Sequence, residues 1–398
     1  MTATDAPIAP SASQVRAASR ATYAAFIGAG FAVASWAARI PQVRTRLDLD
    51  PAALGLVLLA LAAGSVVALP LSGPVIARLG SRRTVIVMSW LLTVSLVVIA
   101  VGHLAGVVPL VVGLFLMGFA NGAWDVGMNV QGAVVERHLG RAIMSRFHAG
   151  FSLGTVLGAL LGAAMVALGV SVTAHLLAVA VVVGVAVPLS VRAFVPDVDE
   201  SAAPADGGHA GVLAAWREPR TLLIGLFVLA FAFAEGTAND WVTIALIDGH
   251  GTSEAVGTLG FAVFLTSMTA ARWVGPGLLD RYGRVAVVRL LAGLAVVGLV
   301  LFVFGPNAPV AFVGALLWGA GTSLGFPVGM SAGADDPARA APRVSVIASI
   351  GYCAFLAGPP LIGFLGHEIT VLRALIVVAV LLAVATAIAG CLREPAAD

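Results

Sequence analysis

Lysine is absent from this chain: all 22 basic side chains are arginine, and charged residues make up only 11% of its 398 positions. A phosphate-cradling Gly-rich loop needs a lysine, so an ATP-driven pump within this chain is excluded. Cysteine is almost absent as well. Cys353 and Cys391 both sit in apolar segments, which argues against a disulfide framework and against a thiolate metal site. His138 and His148 lack a nearby third ligand, so no metal site is expected, and no cofactor motif stands out. No basic tract with interleaved aromatics is present, which excludes nucleic acid as a partner. Neither a nucleophile–base pair nor a metal cluster suggests an enzyme. The first twenty residues hold Arg16 and Arg20 but no apolar core ahead of a small-residue cleavage site, so no removable signal peptide is expected.

What the chain does have is apolar surface. Sixty per cent of its residues are hydrophobic and the mean hydropathy is +1.03, against about 45–50% apolar in soluble domains. A bilayer core about 30 Å thick takes about 20 residues per helix, so the apolar content allows roughly twelve spans. Apolar stretches fall at 21–41, 52–76, 84–102, 107–133, 146–168, 171–192, 220–246, 255–278, 285–304, 308–332, 344–365 and 369–391. Most are apolar on every face, as lipid-facing helices require, and the two-residue alternation of a membrane barrel is not found. The sequence therefore predicts an all-α membrane protein of twelve transmembrane helices. The polar interruption at 193–219 reads as a linker between a bundle at 1–192 and a second at 220–398.

Arginines set the orientation. Placing the N-terminus inside puts 17 of the 22 on the cytoplasmic side, with Arg39, Arg44, Arg46 and Arg373 outside and Arg272 within a span. Both termini are then cytoplasmic, in an inner or plasma membrane. The halves also repeat. Gly73-Pro-Val-Ile-Ala-Arg-Leu-Gly80 is echoed by Gly275-Pro-Gly-Leu-Leu-Asp-Arg-Tyr-Gly283, and Val126-Gly127-Met128 recurs as Val328-Gly329-Met330. The offsets are 203 and 202, which points to a duplicated six-helix unit.

At these residues the sequence resembles the major facilitator superfamily over essentially its whole length. The resemblance implies two pseudo-symmetric six-helix bundles and a gating loop signature. The second copy of that signature keeps Asp280, Arg281, Gly283 and Arg284. The first keeps Gly73, Arg78, Gly80 and Arg82, with Ala77 in place of the acid. Within the superfamily, Ile40-Pro41-Gln42, the Asp125/Asn129 pair and Phe326-Pro327 are similar to the fucose permease branch of sugar/proton symporters, although Ala37 stands where that branch carries an acid.

An ionised group in mid-membrane is costly, about 2.5–3.5 kcal/mol on insertion scales, so each one is a functional candidate. Asn121, Asp125 and Asn129 share one helix face at four-residue steps, and Glu235 with Asn239 repeats the acid-then-Asn spacing. A carboxyl in a poorly hydrated cavity favours its neutral form, so its proton occupancy can change with access. Asp125 and Glu235 are therefore the expected proton-coupling groups. Arg272 is expected to form a structural ion pair with a carboxylate. Solute binding is assigned to Asn121, Asn129, Asn239, Trp36, Trp124, Trp241, Phe326 and Arg39, with Gln131 and Tyr352 as further polar donors. Gly150, Gly154, Gly158 and Gly162 form a groove for a neighbouring helix. The function expected is secondary transport of a small polar solute, with sugar the leading class, by proton-coupled symport. Proton-driven efflux of a metabolite or drug is the alternative, and a non-transporting receptor a remote one. Lipid, protons and the solute are the expected partners, and the chain is expected to be a monomer without cofactor.

Overall fold

A computed structural model describes residues 10–140, 143–197, 213–336 and 339–394 of the chain. Every regular element among the described residues is helical. α1 (Ala12–Ala37) is separated by a short turn from α2 (Ile40–Arg46). Pro41 dictates that turn, because it cannot donate to a carbonyl four residues back. α3 (Pro51–Ala105) is 55 residues long, about 82 Å at 1.5 Å per residue, more than one crossing of a core about 30 Å thick. It is two passes, broken at Gly80 where φ is 76° and ψ 160°. There follow α4 (Val107–Leu139), α5 (Met144–Ala167), α6 (Val172–Val191), α7 (Pro219–His250), α8 (Glu254–Tyr282) and α9 (Arg284–Phe304). The tenth pass is split into α10 (Ala308–Thr322) and α11 (Gly325–Gly333). α12 (Ala340–Ile369) is the eleventh, and α13 (Val371–Ala374) with α14 (Ile376–Ile388) makes the last.

Eleven helical segments are long and apolar enough to cross a membrane. Counting the two passes of α3 separately gives the twelve expected, among the described residues. Polar side chains start several of them: Asp50 accepts from the Ala53 amide at 2.7 Å, Ser171 from Ala174 at 3.1 Å and Asn307 from Val310 at 3.2 Å. Gly140 and Gly251 close α4 and α7 in the left-handed conformation. Trp90, Trp273, Leu290 and Phe304 stand exposed on the outer surface, as lipid contact demands.

Between apolar helices in lipid there is no hydrophobic force to gather them, so close packing has to do it. The glycine groove of α5 is where α1 lies. A Cβ at Gly158 would sit 3.0 Å from that of Ala34, and one at Gly154 would strike the Ile27 carbonyl. The repeat seen in the sequence is also conformational. Gly283, the counterpart of Gly80, has φ 78° and ψ 159°, nearly the same angles.

Twelve passes return the chain to the side on which it began, together with the turns at Gly80 and Gly283. At the opposite, far end the bundles touch: Arg44 pairs with Asp248, Gln42 Nε2 donates to Glu254 at 2.9 Å, and His367 approaches Asp50 at 3.6 Å. Helix faces meet there too, with Gly55 against the Pro359 carbonyl and Gly363 against that of Pro51. α12 runs unbroken through Pro359 and Pro360. At the terminal end the ion pairs of Asp335 and Glu218 and the hydrogen bonds of Asp197 join residues of one bundle, and Gly73 and Gly277 have open space beside them.

Of the expected 193–219 linker, residues 198–212 lie outside the described residues. The part before them is not free chain, which corrects the sequence expectation. Phe194 and Val195 are buried on the first bundle. The Gln131 amide holds the Val195 backbone through both its carbonyl (3.1 Å) and its N–H (3.2 Å). Asp197 accepts from the Ser81 hydroxyl at 2.6 Å.

A positive φ with ψ near 160° is a conformation essentially restricted to glycine, and another residue there costs about 1–3 kcal/mol. Gly80→Ala and Gly283→Ala should each lower the unfolding temperature in detergent, whereas Gly277→Ala, helical and beside open space, should leave it unchanged or raise it slightly.

Candidate functional site

Two sets of polar side chains lie near the boundary between the bundles, where Tyr352 is in range of Asp125 and Arg272 reaches Ser152. From the first bundle α4 presents Asn121, Asp125 and Asn129, all partly exposed. Asn129 Nδ2 donates to the Asp125 backbone carbonyl at 2.8 Å and to its carboxylate at 3.3 Å, which holds the acid toward the cleft. Asn121 Oδ1 is buried without a partner among the described residues. Across the cleft, Tyr352 of α12 lies within electrostatic range of Asp125.

From the second bundle α7 presents Glu235, Asn239 and Asp240, again partly exposed. Glu235 is ion-paired with Arg272 of α8 at 2.8 Å, their side chains 23% and 27% exposed. The partner foreseen for Arg272 as an unspecified carboxylate is therefore Glu235, the other coupling candidate. Arg272 does more than pair. Its Nε donates to the Ser323 carbonyl at 3.0 Å, where the tenth pass is broken, and Nη1 reaches Ser152 of α5 in the first bundle at 3.5 Å. His148 of α5 feels the same charge. Each bundle thus contributes an acid, Asp125 with Asn129 in the first and Glu235 with Arg272 in the second, and Arg272 touches both bundles.

Several expected ligands are elsewhere. Trp124 and Trp241 are fully buried and Trp36 nearly so; none offers a ring face to a solute in this conformation. Trp124 lies over Gly28 beside Val187 within the first bundle. Their apolar bulk, spent on helix packing, is the reason. Arg39 is also displaced from the expected site: it is 1% exposed and donates through Nε to His175 Nδ1 at 2.8 Å. It belongs to the far-end closure, with Glu254 its nearby counter-charge. Gln131 is an anchor for Val195, as described above, not a solute donor. Phe326 stays partly exposed beside Gly351 at the break of the tenth pass.

The loop signatures at the terminal end behave unequally. Arg78 and Arg82 are exposed, and so is Asp280. Arg281 lies over the Tyr282 ring, 5.2 Å from its centre. Arg284 is the one that braces, with Asp335 at 2.6 Å and Glu394 at 3.4 Å, while Arg220 takes the other oxygen of Asp335 at 2.8 Å. The first copy lacks the acid at Ala77, and the carboxylate found beside its glycine turn is Asp197. Sequence reading missed Asp197, Asp335, Glu218, Asp248 and Glu254. All sit at or near helix ends, where an acid looks merely hydrated; Asp197, Glu218 and Asp335 have an arginine nearby in sequence, whereas Asp248 and Glu254 have none between Arg220 and Arg272.

Glu218, just before α7, is held by Arg343 at 2.6 Å and by the Thr221 hydroxyl at 2.8 Å. The hydrogen bond from Arg343 is the main reason its carboxyl sits below the usual glutamate range.

Twelve passes in two bundles around a cleft of buried charge define a membrane transporter. Residues 21–353 match the Major Facilitator Superfamily, and the chain belongs to that family. It is 31% identical over 377 residues to an uncharacterized transporter, y4wD, of Sinorhizobium fredii, covering 94% of this chain and 98% of that one. It is likewise 31% identical over 351 residues to an uncharacterized MFS-type transporter of Yersinia pestis, covering 87% and 88% of the two. Its fold is similar to that of the nucleoside transporter NupG, with a TM-score of 0.78 at 14% identity over 96% of this chain and 100% of that one. It is also similar to the E. coli fucose:proton symporter FucP, with a TM-score of 0.63 at 15% identity over 94% and 98%.

Because the Glu218 carboxyl is depressed, its contribution to stability is present above the ordinary glutamate value of 4.5 and is lost as pH falls through its lower folded value. Unfolding temperatures of the parent and Glu218→Gln should therefore differ at pH 7 and converge in acid; curves that stay parallel would contradict this.

Proposed function

We propose that this chain is a proton-coupled symporter that carries a small polar solute inward by alternating access, with sugars the leading solute class. Asp125 carries the proton and Glu235 is a second proton site. The moving units are the bundles 1–192 and 220–398, oriented with both termini in the cytoplasm of the cell whose inner or plasma membrane holds the chain. The terminal end then faces the cytoplasm.

The observation that carries this reading is the setting of Asp125. A carboxyl deep in the first bundle reaches the inter-bundle cleft, braced by Asn129 and within range of Tyr352 in the second bundle. A group so placed meets water from one side in one conformation and from the other side in the other. Binding a proton removes a charge that is costly to leave unmatched there, so occupancy and conformation are linked. One proton moved across about 100 mV supplies about 2.3 kcal/mol, enough for roughly a fifty-fold solute gradient at about 1.4 kcal/mol per decade. Asn121, Asn129 and Asn239, with Phe326 and Tyr352, would supply the amide, hydroxyl and ring surfaces that a hydroxylated solute needs. Two structural neighbours, a nucleoside transporter and a fucose:proton symporter, take sugar-bearing solutes, which supports the class.

Thermal-shift screening of the purified protein against sugars, polyols and nucleosides should single out a solute. Its uptake into proteoliposomes should follow an imposed pH gradient and fall by about tenfold or more, roughly 1.4 kcal/mol, in Asp125→Asn. Uptake that ignores the gradient, or survives Asp125→Asn unchanged, contradicts the coupling.

A further inference from the structure

We infer that Arg272 couples the charge on Glu235 to the break in the tenth pass, by serving as the hydrogen-bond donor that Pro327 withholds from the helix backbone. In an uninterrupted helix the amide of residue 327 would donate to the carbonyl four residues back, that of Ser323. Proline has no such hydrogen, and its ring crowds the same carbonyl. Here α10 stops at Thr322 and α11 begins at Gly325. The Ser323 carbonyl receives Arg272 Nε instead, at 3.0 Å, from the neighbouring α8. An unmet carbonyl at this depth is costly, and irregular backbone persists in membranes only where something re-satisfies it.

The same guanidinium gives Nη2 to Glu235 at 2.8 Å and approaches Ser152 of the other bundle with Nη1 at 3.5 Å. One rigid, planar fork therefore joins α7, the break and α5, and it cannot turn toward one partner without moving at the others. Neutralising Glu235 removes one side of that fork, and the break of the tenth pass, with Phe326 in the helix just after it, responds.

The internal repeat supplies a control. Superposing Val126-Gly127-Met128 on Val328-Gly329-Met330 sets Asp125 opposite Pro327 and Asn121 opposite Ser323. Superposing the two loop signatures sets Leu69 opposite Arg272. The first bundle thus lacks both the proline and the arginine, and its α4 runs unbroken from Val107 to Leu139. Break and donor occur together in one bundle and are missing together in the other. Arg272 is on this account a positioning residue for the tenth pass. The inference rests on the proposed change of charge at Glu235.

The test uses the full-length protein with Cys353 and Cys391 replaced by serine. Spin labels go on Gly73→Cys and Gly277→Cys, which lie beside open space on opposite bundles. Glu235→Gln should shift the distance distribution between the labels when Pro327 is retained. It should leave the distribution in place in Pro327→Ala, whose restored amide serves Ser323. Thermal unfolding gives a second readout: in the Glu235→Gln background, Arg272→Met should lower the unfolding temperature by several degrees when Pro327 is retained, and clearly less when Pro327→Ala is also present. A label shift of equal size in both backgrounds, or an equal thermal loss in both, overturns the inference. That result would leave the Asp125 uptake test intact, since none of these substitutions is at that carboxyl or its partners.

Discussion

A charge or a backbone carbonyl inside the bilayer core must find its match within the protein, because lipid offers none. This chain meets that constraint by having few charges and by placing them at two kinds of site. Most arginines lie at helix ends, in reach of water. Of the rest, Arg39 is buried at the far end against His175, Glu235 and Arg272 pair with each other where Arg272 also reaches the first bundle, and Asp125 is braced by Asn129 within range of Tyr352. The apolar passes around them need only shape to pack, which explains the glycine groove of α5 against α1 and the close approach of Gly55 to α12.

The two ends of the molecule are held by different chemistry. At the far end the contacts run between bundles, and Arg44–Asp248, Gln42–Glu254 and the Gly55–Pro359 approach act together as a closure. At the terminal end Asp197, Asp335 and Glu218 bind arginines, hydroxyls and helix starts of their own bundle. Such contacts tie each bundle together within itself, as rocking of bundles about a central site requires.

Much of this was legible in the sequence. Twelve apolar stretches and the repeated glycine loops gave the fold, because length and periodicity decide membrane helices almost without competition from tertiary context. The buried acids were also legible, since an acid in an apolar run has no ordinary explanation. The tryptophans were not. A ring in an apolar helix packs equally well against a neighbour or a solute, and only the helix rotation, fixed by Gly28 and Val187 for Trp124, decides between them. Arg39 was missed for a similar reason: the His175 that receives it is 136 residues away in the chain. The pairing of Arg272 was foreseen in kind, but its link to Ser323 depends on a carbonyl freed by Pro327 on another helix.

Alternating access requires the two ends to move in opposition. The most direct measurement is a pair of distance distributions by spin labelling of the reconstituted protein, one across the far end at Gln42 and Glu254, the other across the terminal end at Gly73 and Gly277. Conditions that lengthen the first should shorten the second. Ends that open together, or a far end that never opens, would contradict the account.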